Sequence, residues 1–184
     1  MGIWRHLRAI VPLPTMVTLV IPSVIIYRTG AVHVGWGLSI PFKLLPPLLG
    51  CGLIVLGLFL LVRTVSLFAV VGQGTLAPWD PTRRLVVQGV YRHVRNPMIS
   101  SVLFILLGEA TLLGSVPLLE WFLFFFLLNA VYIPLIEEPG LVQRFGEEYL
   151  RYKAHVPRWI PRLRPWNPLF SSTDNARRPS ESTR

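Results

Sequence analysis

The chain has 184 residues, enough for one domain; 52% are apolar and only 15% charged, less charge than a soluble domain carries. Its net charge of +9 and pI of about 10.8 suit an anionic partner, and long apolar runs select a bilayer over nucleic acid. Cys51 is the single cysteine, which excludes an internal disulfide and a cysteine-based metal site, and His6, His33 and His155 are too scattered to form a metal ligand set.

The first apolar run covers residues 9–27. Arg5 and Arg8 precede it as they would in a signal peptide, but no small-x-small cleavage site follows and Pro12, Pro14 and Pro22 interrupt it. It reads as a retained spanning helix. The second run covers 44–71 and is free of charge until Arg63. Runs three and four, 98–113 and 116–136, are separated only by Gly114-Ser115, which predicts a tight helical hairpin. A spanning helix needs roughly 20 residues, so the hairpin arms are only just long enough. The expected fold is therefore all-α, an integral membrane protein of about four spanning helices with a helical rim after them. With four spans, the N-terminal end, the loop between spans two and three and the C-terminal tail share one side. That side holds 15 Lys and Arg residues against 2 on the other, which places both termini in the cytoplasm. Glu109 in the third run either touches an acceptor headgroup or pairs with Arg63, and the pairing is the expectation.

The loop between spans two and three has turn residues at Gly72, Gly74, Pro78 and Pro81. Leu85, Val86 and Val87 form a short extended run, and Gln88-Gly89 turns it. Tyr91-Arg92-His93-Val94-Arg95 then leads to Asn96-Pro97. A residue before proline avoids helix and proline suits a first helical turn, so the third helix is expected to start near Pro97. Its free N–H groups beside Arg92 and Arg95 form either an anion site or a basic loop resting on lipid phosphates. Glu137-Glu138-Pro139 closes the fourth run. Two acids at a helix C-terminus are unfavourable, and beside so many arginines they either form salt bridges or bind a cationic ligand. Beyond them Leu141, Phe145, Tyr149 and Tyr152 recur at helical spacing, predicting an amphipathic helix on the membrane surface that ends at Val156-Pro157-Arg158-Trp159-Ile160-Pro161. Residues 167–184 are polar and lack periodicity, and disorder is expected for them.

In combination, GVYRHVRNPM, a short hairpin, Glu-Glu-x-x-Leu, Phe-Gly-x-x-Tyr-x-x-Tyr and VPRWIP resemble the isoprenylcysteine carboxyl methyltransferase and phospholipid methyltransferase superfamily. The resemblance runs from about Gly74 to Pro161. It implies a methyltransferase-like core over 72–166, following N-terminal transmembrane helices over 1–71, with S-adenosyl-L-methionine as the methyl donor, bound at the cytoplasmic rim. Carried over by position, it implies donor contacts from Arg84, Leu85, Val86, Val87, Tyr91, Asn96, Pro97, Met98, Glu137 and Glu138. Arg95, Asn96 and Glu137 are the implied catalytic residues. Asn96 stands where the family has histidine and Ile99 where it has tyrosine. Asparagine still donates and accepts hydrogen bonds but does not titrate. Ile133 replaces the arginine that the prenylcysteine enzymes use for their substrate's carboxylate, which argues against such a substrate.

The implied activity is methyl transfer to a lipidic or amphipathic acceptor, a carboxylate or an amine, entering from the bilayer. A non-catalytic lipid-binding or scaffold protein on the same fold is the alternative. In-line transfer from a sulfonium depends mostly on positioning. Glu137 is the expected partner of the donor's ammonium or ribose hydroxyls, and Arg95 or the N-terminus of the third helix that of its carboxylate. A carboxylate acceptor needs no general base. An amine must lose a proton, and His93 is either the group that takes it or a solvated loop residue.

Overall fold

A computed structural model describes residues 12–71 and 85–167. Every regular element among them is helical. The first, α1, is continuous over Pro12–Thr29 and contains a wide π turn at Met16–Val20. Pro22 follows that turn and cannot donate a backbone hydrogen bond, a usual cause of such irregularity. The helix stops at Gly30, whose φ of 60° lets its N–H reach back to Ile26.

A 3₁₀ turn at Phe42–Leu44 leads into α2, Leu45–Val71. After residues 85–88 and a 3₁₀ turn at Gly89–Arg92 comes α3, Pro97–Leu113. Gly114, at φ 61°, and Ser115 turn the chain directly into α4, Val116–Tyr132, so the expected hairpin is present. A π turn at Ile133–Glu137 carries α4 without a break into α5, Glu138–His155. Pro134 sits in that turn and removes one backbone donor. Within α5, Gly146 has φ 52° and ψ −131°, so the helix is kinked there.

Three of these helices are long and apolar enough to cross a membrane: α1, the helix starting at Phe42, and the helix starting at Val116. The last is 40 residues long, and its apolar part ends at Ile136. α3 has 17 residues, about 26 Å of rise against a hydrocarbon core of about 30 Å.

Small residues bring α2 and α3 together. A Cβ on Gly50 would lie 2.7 Å from the Gly108 carbonyl, and one on Gly57 would lie 2.7 Å from the Ser101 carbonyl. Gly108 in turn faces the Gly50 carbonyl and Ile54. Side chains on α2 are otherwise mostly turned outward, as for Leu48, Val55 and Val62. In a bilayer such close backbone approach, rather than hydrophobic exclusion, holds helices together. α4 packs on α3 and also on α1, where Trp121 Nε1 donates to the Val17 carbonyl at 3.2 Å.

This antiparallel register overturns the expected Arg63–Glu109 pair. Gly50 is level with Gly108, so Arg63, thirteen residues further along α2, lies about 20 Å away along the axis. Arg63 instead sits over the Phe59 ring, 5.9 Å from its centroid, and Glu109 forms no ion pair among the described residues.

The molecule thus has two distinct ends. At one, the loop after α1 meets the hairpin turn: His33 N–H donates to Leu113 O at 2.9 Å and Trp36 Nε1 to Thr111 O at 3.1 Å. At the other, residues 85–96 meet α5 and the segment after it.

Candidate active site

The segment 88–97 is built to present side chains in two directions. Gln88 is extended, and Gly89 turns at φ 53° in a place where a Cβ would meet Leu67 of α2 at 2.9 Å. The following 3₁₀ turn buries Tyr91 on one side and leaves Val90 on the other. Asn96 is the N-cap residue of α3 without a side-chain capping bond, and Pro97 fills the first helical position. The Asn96 carbonyl accepts from Ser100 N at 3.1 Å and Ser100 Oγ at 3.0 Å.

Residues 156–166 strap this segment in place. Arg95 N–H donates to Pro157 O, Arg162 N–H to His93 O and Trp166 N–H to Arg92 O, each at 2.9 Å. Arg92 Nε returns a bond to Trp166 O at 2.6 Å. Beneath the strap, Tyr149, Tyr152, Val156 and Trp166 make a small core, with Leu85, Val87 and Phe145 packed against it. The Tyr152 hydroxyl donates to the Tyr91 carbonyl at 2.7 Å. Burial first, then Tyr152 and Glu137, push the Tyr91 hydroxyl well above the usual phenol range, so it stays protonated and able to donate.

The acid pair divides its work. Glu138 is buried, and its Oε1 accepts from Arg95 Nη1 at 2.9 Å and Arg158 Nε at 2.8 Å. Its Oε2 lies 2.7 Å from Lys153 Nζ. Burial alone raises the pKa of this carboxyl, but Lys153, Arg95 and Arg158 outweigh it and hold it below the usual range. Glu137 is exposed and makes no hydrogen bond or ion pair among the described residues. Its charge nevertheless reaches Tyr91. Arg95 Nη1 also reaches the Tyr149 hydroxyl at 3.4 Å. Arg95 Nε and Asn96 Nδ2 are buried donors with no partner. Two buried spare donors at the start of α3, with the Glu137 carboxylate close enough to act on Tyr91, suit a zwitterionic ligand bearing an ammonium and a carboxylate.

On the opposite side of the same segment lies an apolar pocket of about 430 Å³. Val90, His93, Val94 and Pro97 line it from the segment, Phe104 and Phe126 from α3 and α4, and Trp159 from the strap. Trp159 packs on Phe126 with ring centroids 5.9 Å apart.

Of the residues expected from sequence, Tyr91, Arg95, Asn96, Pro97, Glu137 and Glu138 gather at this end, with Leu85 and Val87 on the small core and Val86 buried beside them. Met98 is in the first turn of α3, where its carbonyl accepts from Ser101 Oγ at 2.6 Å. Arg84 and the turn residues at 72, 74, 78 and 81 lie outside the described residues, as do the start of the first span and the tail after Asn167. Residues 85–87 carry no strand assignment. Lys153 and Arg158 as partners of Glu138, and Trp166 in the small core, are not among the residues expected from sequence. A Trp between two prolines, Arg164-Pro165-Trp166-Asn167-Pro168, was the available signal for an anchored strap.

No curated protein matches the chain. A family model described as phospholipid methyltransferase matches residues 46–148, which takes in α2, α3, α4, segment 88–97 and both acids. With more than half of its length matched, the chain belongs to the phospholipid methyltransferase family.

Proposed function

We propose that this protein is a multi-pass membrane methyltransferase that uses S-adenosyl-L-methionine and acts on a lipid-like acceptor drawn laterally from the bilayer. The observation that carries the reading is the shared wall. One segment, 88–97, gives Val90, His93 and Pro97 to an apolar pocket and Tyr91 and Arg95 to a polar cluster. A transfer between an amphiphile and a water-soluble zwitterion needs that arrangement, with the two reactants reaching one point from different phases.

In this reading Glu137, uncommitted within the protein, takes the donor's ammonium or its ribose hydroxyls. Asn96 Nδ2, Arg95 Nε and the first turn of α3 take the carboxylate, a helix N-terminus being favourable to an anion. Glu138 orients Arg95 and does not touch ligand. The bound donor supplies a methyl group on a positively charged sulfur, which becomes neutral on transfer. Tyr152 fixes the Tyr91 backbone, and the strap holds Trp159 over the pocket against water. α5 lies on the membrane surface, α3 serves as the fourth span beside α2, and both chain ends face the cytoplasm, where the donor is made.

Calorimetry with S-adenosylhomocysteine on the purified full chain tests the reading. Wild type binds, and Glu137→Ala binds at least tenfold more weakly, about 1.4 kcal/mol. No binding by wild type, or equal binding by the variant, removes it. Binding without turnover on any amphiphile selects the non-catalytic alternative.

A further inference from the structure

The strap, residues 156–166, turns its side chains two ways. Trp159 and Pro161 line the apolar pocket, whereas Ile160 is 78% exposed and Leu163 99%. Backbone bonds fix the chain around both: Arg95 N–H to Pro157 O, Arg162 N–H to His93 O and Trp166 N–H to Arg92 O, each at 2.9 Å. Neither side chain can fold back onto the protein without breaking them. Single exposed apolar residues are ordinary on a soluble surface. These two stand on a segment held against spanning helices, and its level decides what surrounds them.

That level follows from Phe126, on whose ring Trp159 packs with centroids 5.9 Å apart. Phe126 is ten residues beyond Val116, where α4 begins, and so about 15 Å from the hairpin turn. α3 runs about 26 Å from the same turn to Pro97. The Phe126 ring therefore lies about 10 Å inside the level at which α3 starts, and α3 is itself shorter than a hydrocarbon core. The strap beside Trp159 dips below the membrane surface. Non-helical backbone at such depth must leave few donors unpaired, and Pro157, Pro161 and Pro165 carry none.

Charge selects the lipid. Residues 156–167 include three arginines and no acid. Arg158 is spent on Glu138, and Arg162 Nη1 on the His155 carbonyl. Arg164 is exposed and forms no ion pair among the described residues. It follows Leu163 directly. An apolar side chain beside an uncommitted guanidinium matches an acyl chain beside a phosphate of net negative charge.

We infer that the strap is an interfacial anchor whose partner is an anionic phospholipid of the leaflet on that side. Ile160 and Leu163 enter the acyl region, and Arg164 holds the headgroup phosphate. The rim of the pocket at Trp159 and Pro161 then lies within the leaflet, so an amphiphile reaches it without crossing water.

The test uses the full chain in nanodiscs of equal parts phosphatidylcholine and phosphatidylglycerol. Cys51, the single cysteine, is first replaced by alanine. An environment-sensitive fluorophore is then placed at Leu163→Cys, and at the exposed Glu147→Cys as control. Either lipid carries a nitroxide on its acyl chain. The label at 163 is expected to emit as in an apolar medium and to be quenched, while that at 147 emits as in water. Quenching by phosphatidylglycerol should exceed that by phosphatidylcholine by about fivefold in relative association, the contribution of one arginine near the surface. Adding Arg164→Gln, or raising salt to about 1 M, should bring the two lipids to parity without changing the emission. Water-like, unquenched emission at 163 would place the strap outside the bilayer. Apolar emission that neither lipid quenches would mean that protein, a second copy included, covers Leu163. Equal quenching by the two lipids before Arg164 is changed would remove the anionic partner. Each of these three results overturns the inference. No methyl donor takes part in the measurement, so its outcome is independent of the proposed activity.

Discussion

Glu138 is a buried acid gripped by three cations, two of which reach solvent. Its side chain is 3% exposed and that of Arg95 9%, while Arg158 and Lys153 are 25% and 42% exposed. Removing one partner of a buried pair costs roughly 3–5 kcal/mol, and the two more exposed cations lower that toward about 3 kcal/mol. Glu138→Gln should therefore lower the thermal midpoint of the detergent-solubilised protein strongly, while Glu137→Gln leaves it nearly unchanged. The linkage has a definite sign. The folded carboxyl has a lowered pKa, so its stabilisation is complete above the unfolded value of about 4.3. It is lost as pH falls through the lower folded value. Melting at pH 6 and at about pH 3.5 should show a larger drop in wild type than in Glu138→Gln; equal drops would contradict the cluster. The sequence makes the Glu-Glu pair visible but not which member is gripped. Neighbouring helical residues point about 100° apart, and the wide turn at Ile133–Glu137 shifts the phase just before them. A pattern assuming a regular helix cannot assign the two acids.

At the scale of elements, the contact between α2 and α3 is made by what is missing from side chains. The helix boundaries could be read from run lengths, and the hairpin from Gly114-Ser115. The facing surfaces could not, because α2 is apolar all round and has no stripe. The seven-residue spacing of Gly50 and Gly57, repeated by Ser101 and Gly108, was the quieter signal. It sets the register that keeps Arg63 away from Glu109. Gly57→Val places a branched side chain against the Ser101 carbonyl and Ile105, where a Cβ alone would already be at 2.7 Å. It is expected to cost about 1–3 kcal/mol, since the obstacle is backbone and cannot rotate away. Gly52→Ala is the matched control. A Cβ there meets nothing within 4 Å, and the swap should stabilise by about 0.5–1 kcal/mol. Thermal unfolding of the two variants should shift in opposite directions. A shift of the same sign would mean that helix propensity rather than close approach governs this pair.

For the molecule as a whole, the two ends differ in how they are tied as well as in charge. The hairpin end is pinned by His33 and Trp36 to carbonyls of α3, and its loop carries only Arg28 and Lys43. The other end is strapped across some seventy residues of sequence by bonds from 157–166 to 92–95. Such pairings leave no local pattern, which is why the strap was not foreseen although its Trp and prolines were in view. Basic residues resist translocation, so the strapped end should face the cytoplasm. Cys51 is exposed on α2 and must be removed first. In a Cys51→Ala background, Ser39→Cys reports the hairpin end and Glu147→Cys the strapped end, both being exposed positions. A membrane-impermeant maleimide added to intact cells should label Ser39→Cys at once and Glu147→Cys only after permeabilisation. The reverse order would invert the protein in the membrane and place its acid cluster where no cytoplasmic methyl donor reaches it. Labelling of both in intact cells would mean that α3, about 26 Å long, dips into the bilayer without joining α2 in a crossing.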